Sequence, residues 1–245
     1  MAHWDIHPEA VGLDPLSQIA ADSLALAEAA AGHFDTRVEH CPDWTMGDLV
    51  WHLFEVQSFW RGIVATQASD PDQIERPDQV DDAVLIDAFQ DGADRLVGVL
   101  AAADPATPLW TWAAQKDAGF VIRHQVQEAA VHRWDAENAA GPAAPIDRAT
   151  AIDSIEEFLT FSTNVDAAPL GATVAFEATD ADAAWTVIDA PPGLSWHRGG
   201  SPAAARVRGT ASDLLLWLYA RVPTADVASG DLALLNRFRS HLSTD

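Results

Sequence analysis

Four stretches in the first 142 residues carry apolar side chains at helical spacing, over 14–34, 45–67, 80–102 and about 120–140, each cut from the next by a loop containing Pro, Asp or Gly. A helix with an apolar stripe must cover that stripe, and four such helices in succession do so by packing their stripes inward. The spacing therefore predicts an antiparallel four-helix bundle over residues 1–142. Local signals fix its joints. Thr45 followed by Asp48 forms a capping box for the second helix, with Cys41-Pro42-Asp43 as the turn before it. Gly141-Pro142 ends the fourth.

From Ala143 the pattern changes. A helix is expected near 146–163, followed by short β-type runs "ATVAFEAT", "AWTVIDA", "LSWHRGG" and "AARVRG" separated by Gly and Pro. Thr210 and Asp213 form a second capping box at the head of "TASDLLLWLYARV", and a last helix is expected near 230–242. This predicts a smaller α+β domain over 143–245, with helices on one face of an antiparallel sheet.

Charge narrows the partners. The chain has 37 acidic against 14 basic residues, Lys116 is the single lysine, and the formal net charge is -23. Phosphate backbones and anionic membrane surfaces need clustered Lys and Arg, which the sequence lacks, so neither nucleic acid nor a membrane is an expected partner. No apolar run approaches the roughly 20 residues that span a bilayer. The opening "MAHWDIHPEA" has no signal-peptide pattern, and a cytoplasmic location is expected. The one cysteine, Cys41, excludes an internal disulfide and reads as a small buried residue of the turn before the second helix.

Two places carry candidate chemistry. His52 shares its face of the second helix with Thr45, Leu49, Val56, Phe59 and Ile63, so its imidazole is expected between helices, where it needs a hydrogen-bond partner or a metal. On the fourth helix Glu128 and His132 stand one turn apart and share a face with His124 and Asp135. That face suits a solvated polar stripe as well as it suits ligands. Taken together, however, two imidazoles and a carboxylate from facing helices are a donor set used by catalytic zinc, with the fourth position left open.

The segments "CPDWTMGDLVWHLFEVQSFW", "RHQVQEAAVHRWDAENA" and "VRGTASDLLLWLYAR" resemble the mycothiol-dependent maleylpyruvate isomerase family, part of the DinB-like superfamily of metal-binding four-helix bundles. The resemblance spans nearly the whole chain. It implies His52, Glu128 and His132 as ligands of zinc or another divalent metal, and mycothiol as a low-molecular-weight thiol co-substrate for a small-molecule substrate. It implies an isomerase or thiol transferase, and a C-terminal Arg supplied to the cleft. Arg221 is the candidate, with Arg206, Arg208 and Arg237 as alternatives. His124 falls outside the family's ligand pattern and is read as a supporting or surface residue. Asp135 either orients His132 or caps the polar face. Two other classes fit the same bundle: a zinc-dependent hydrolase, and a non-catalytic metal- or ligand-binding protein.

Overall fold

The computed structural model describes residues 14–161, 169–191 and 193–242. They fall into two compact units that meet in sequence at Ile146 and Asp147.

The first unit is built on α1 (Pro15–Ala30), α2 (Met46–Thr66), α3 (Asp82–Ala102) and α4 (Ala118–Ala140). The starts of α1, α2 and α4 each follow from a named side chain, while α3 begins after Asp81 with no side-chain cap. Asp14 accepts from the amide of Ser17 ahead of α1, and Asp117 from that of Phe120 ahead of α4. The capping box of α2 forms as expected, Thr45 accepting from the Asp48 amide and Asp48 from the Thr45 amide. α1 stops at Ala30, short of the expected Phe34, because Gly32 turns the chain with φ of 77°.

α1 packs on α4 and α3, and α2 packs on α3 and α4, which makes a four-helix bundle. One end of its core is Leu26, Ala27, Ala30, Met46, Leu49, Val50, Leu53, Leu85 and Phe89, with Trp44 and Cys41 half-buried against it. α4 is anchored on α1 by a buried network. Gln18 donates to Asp22 at 2.8 Å, and Arg133 donates to Asp22 at 3.2 Å. Arg133 also reaches Glu137 and the Ala144 carbonyl, each at 2.8 Å. The segment after Gly141 is thereby tied back to the helix it leaves.

The second unit contains α5 (Arg148–Phe161), strands β1 (Val174–Ala178), β2 (Ala184–Ala190), β3 (Gly193–Arg198) and β4 (Ala205–Gly209), then α6 (Ala211–Leu218), α7 (Thr224–Val227), β5 (Ala228–Gly230) and α8 (Leu232–Arg239). The end of the expected helix near 146–163 lies outside the described residues. The sheet order is β3-β2-β1-β4-β5.

The sheet is mixed, which corrects the antiparallel expectation: β1 and β4 run parallel, Val174 beside Ala205. Residues 199–204 carry the chain from β3 past β2 and β1, so β4 joins the far side of β1 in the same direction. Short runs of alternating residues specify strands but not the edge at which a strand docks. Phe176, Trp217 and Phe238 stack at the centre of this unit's core. The Thr210–Asp213 capping box forms at the head of α6.

Candidate metal centre

His52, Glu128 and His132 converge. One potential donor atom from each lies within 4.8 Å of the others, His52 from α2 and the other two from consecutive turns of α4. Glu128 and His132 are each 7% exposed, so the wet-face reading of α4 gives way to a buried one. The helix is buried nearly all round despite its charge: Arg123, His124, Gln125, Gln127, Arg133 and Asp135 are buried as well. Periodicity reports which residues share a face, but not whether that face is covered.

Each donor is held. His132 Nε2 lies 3.5 Å from Glu128 Oε2, and His132 Nδ1 lies 3.3 Å from Asp135 Oδ2. A carboxylate accepts, so Nδ1 carries the proton toward Asp135 and Nε2 is left facing Glu128. The other Glu128 oxygen faces His124 Nε2 at 3.6 Å, with His124 buried. The rings of His52 and His132 meet edge to face, centroids 5.0 Å apart. Trp44 packs on His52 at 4.6 Å, a contact that the "CPDWT" turn signalled only as chain geometry.

The titrations follow from this packing. Burial pushes the His52 imidazole down, the neighbouring His132 pushes it further, and Glu128 opposes them only partly, leaving it near about 4. Burial opposes a charge on His132 too, but the hydrogen bonds to Asp135 and Glu128 outweigh it and raise the imidazole to about 9. Burial likewise opposes ionisation of Glu128, yet the hydrogen bond from His132 and the charges of His124 and His132 hold its carboxyl well below the usual range. Without an ion, the site is a carboxylate and a protonated imidazole braced against each other beside a neutral imidazole. Two imidazoles and a carboxylate at this spacing suit a divalent ion, and small side-chain rotations bring all three donors onto one centre. Asp135 stands behind His132 as a carboxylate commonly stands behind a metal-bound imidazole.

Rings continue from the cluster along α2 and α4. Trp60 meets His124 at 5.9 Å and Trp110 at 6.0 Å, Phe120 stacks on His124 at 5.3 Å, and Trp112 meets both Phe120 and His124. Sequence periodicity gave no sign of this wall, because Trp110 and Trp112 come from the loop between α3 and α4.

Cys41 sits half-buried against the bundle core, its carbonyl accepting from the Trp44 amide at 2.8 Å. Arg221 belongs to the second unit, where it is 8% exposed, donates to the Tyr219 carbonyl at 2.7 Å and lies over the Tyr219 ring. Arg206 pairs with Glu177, Arg237 donates to the Leu170 carbonyl, and Arg208 is exposed.

The family model described as the mycothiol maleylpyruvate isomerase N-terminal domain matches residues 16–137, and a second, the MDMPI C-terminal domain, matches 125–237. The chain belongs to the mycothiol maleylpyruvate isomerase family. Two solved structures, of the mycothiol-dependent maleylpyruvate isomerase and of a mutant of it, share the fold. Each alignment covers 89% of this chain and 92% of the other, at TM-scores of 0.59 and 0.61 and identities of 12% and 11% respectively. A search of curated proteins returned no match. Family membership supports a mycothiol-dependent, maleylpyruvate isomerase-like enzyme acting on a small molecule. No helix among the described residues is long and apolar enough to cross a membrane.

Proposed function

We propose that the protein is a metal-dependent, mycothiol-using isomerase or thiol transferase, with His52, Glu128 and His132 as the metal ligands and Arg221 as the C-terminal guanidinium that receives a substrate carboxylate. The observation that carries it is the convergence of those three donors from two helices, within 4.8 Å, in a chain of this family. Residues 1–142 form the metal-binding domain in this reading, and 143–245 a separate one.

A divalent ion, zinc by this donor set, supplies when bound the positive charge that keeps a coordinated thiol in its thiolate form at neutral pH. The protein's own groups prepare that place. His52 is neutral and offers a lone pair without losing a proton. Glu128 is already ionised and brings the negative charge. Asp135 fixes the His132 tautomer, so that Nε2 points inward. The thiolate of mycothiol is the nucleophile. In isomerisation it adds to the activated double bond of a maleyl-type substrate, the displaced pair resting on the conjugated carbonyl as an enolate; rotation follows about the new single bond, the pair returns and the thiolate leaves, whereas in transfer the enolate takes a proton and the thiolate stays. A guanidinium such as Arg221 binds a carboxylate through two parallel N–H donors and orients it.

The test is metal content of the purified protein, measured together with mycothiol-dependent turnover of maleylpyruvate. Bound zinc and thiol-dependent turnover are expected, and His52→Ala or His132→Ala should remove metal and turnover while helical content is kept. Zinc with no mycothiol binding would end the thiol reading, and turnover of an ester or amide without thiol would replace it with the hydrolase.

A further inference from the structure

Arg76 lies in the loop between α2 and α3, a segment rich in carboxylates: Asp70, Asp72, Glu75, Asp78 and Asp81. It pairs with none of them, nor with any other carboxylate among the described residues. Its guanidinium carbon instead sits 4.3 Å from the centroid of the Phe59 ring. The cationic groups of Arg95, Arg133, Arg198 and Arg206 all have carboxylate partners. Arg37, Arg148 and Arg237 instead donate to backbone carbonyls and Arg239 to the Thr224 hydroxyl, whereas Arg76 rests on a ring.

Those surroundings hold it in place. Asp70 caps the 3-10 turn Pro71–Gln73, its carboxylate accepting from the Asp72 amide. Ile74 then nests against Gly62 of α2, so closely that a Cβ on Gly62 would stand 2.8 Å from Ile74 Cγ2. Pro77 restricts Arg76 to extended backbone. The loop is therefore pinned to α2 two residues before Arg76, whose guanidinium rests over the Phe59 ring.

Phe59 stands seven residues after His52 on the same helix, which is two turns and within about 20° of the same face. The two positions are about 10 Å apart along the helix axis. Between them the apolar wall runs through Phe59, Trp60 and Trp110, and Trp60 meets His124, which faces Glu128. A preset cation thus stands at one end of an aromatic wall whose other end is the metal cluster. A guanidinium clamped on a ring, with its N–H fork open, is suited to bidentate capture of a carboxylate.

We propose that Arg76 is a carboxylate anchor for the electrophilic substrate, selecting an elongated conjugated or aromatic acid whose carboxylate lies several bonds from the carbon attacked at the metal cluster. It is an anchor within the bundle, separate from Arg221, and it rests on the thiol-addition reading above.

The experiment uses the zinc-loaded full chain, mycothiol, and a matched pair of probes: 4-phenyl-3-buten-2-one and the same enone carrying a para-carboxylate on its ring. In the reaction a sulfur–carbon bond forms at the β-carbon, the double-bond pair moves toward the carbonyl as an enolate, and the enolate takes a proton from water. The wild type should show a KM for the carboxylate probe about tenfold below that for the neutral one, the size of one charge-assisted contact. Arg76→Gln should bring the two KM values level, with Arg76→Lys between. A wild type indifferent to the carboxylate, or an Arg76→Gln that weakens both probes alike, overturns the proposal. If mycothiol drives addition to neither probe, the thiol reading fails on its own. Equilibrium binding of each probe, read by tryptophan quenching, then decides Arg76: a carboxylate preference lost in Arg76→Gln supports the anchor, and no preference refutes it.

Discussion

Asp135 Oδ2 stands 3.3 Å from Nδ1 of His132, three residues away on α4, with both side chains buried. The contact fixes which nitrogen of His132 faces Glu128 and His52, so Asp135 positions a candidate ligand rather than joining the cluster itself. Asp135→Asn keeps the shape and removes the charge, and an amide can present its NH2 to Nδ1 and reverse the tautomer. Metal affinity measured by chelator competition should fall about 10- to 100-fold, with the helical spectrum retained. Affinity unchanged in Asp135→Asn would show that the pair is structural only.

The metal-free centre holds one proton that an ion must displace. His132 is raised to about 9, so at pH 7 it is protonated, whereas His52, lowered to about 4, is already neutral. Metal binding near pH 7 should therefore release about one proton, and apparent affinity should rise about tenfold per pH unit until pH passes the His132 value, then level off. Calorimetry in two buffers of different ionisation enthalpy reads the proton count directly. Release of two protons would mean that His52 is charged in the free protein, against the effect of its burial.

The bundle and its candidate ligands were legible for different reasons. α2 announced itself through Thr45, Asp48 and the stripe containing His52, because a cap and a period are local properties of the chain. The role of Glu128 and His132 was only half legible: spacing put them on one face, but whether water covers that face depends on what packs there. Wall residues such as Trp110 and Trp112 come from a loop, where no period exists to read. The parallel pairing of β1 with β4 was hidden for a similar reason, since residues 199–204 decide the docking edge and no strand residue encodes it.

The capping box of α2 supports the centre from outside it. Thr45 Oγ1 accepts from the Asp48 amide, and Trp44, next in line, packs on His52. Thr45→Ala should destabilise the protein by about 1 kcal/mol, read from the denaturant midpoint. Asp48 is held below the usual carboxylate range, first by the backbone amide of Thr45 and then by its hydroxyl. A depressed carboxyl stabilises the fold above its ordinary value of 3.8 and loses that contribution as pH falls through the folded value. Asp48→Asn should therefore narrow the stability gap between pH 7 and pH 3, and an unchanged gap would remove Asp48 from the acid response.

Gln125 presents the opposite case, a polar group that the fold buries without a partner. Its side chain is 0% exposed, and neither Oε1 nor Nε2 has a hydrogen bond among the described residues. It lies on α4 three residues before Glu128, on the side of the helix that also carries His132. An amide desolvated without compensation costs about 1–3 kcal/mol. Methionine matches its length, lack of branching and helix propensity while carrying no strong hydrogen-bonding group. Gln125→Met should therefore stabilise the protein by about 1–3 kcal/mol, raising Tm by several degrees, with metal content unchanged. Gln125→Ala separates this from simple tolerance, because it removes the amide but leaves a void and should come out less stable than Gln125→Met. If Gln125→Met instead lowers stability or strips the metal, the amide has a partner in solution, an ordered water or the ion's own surroundings, and the residue belongs to the site.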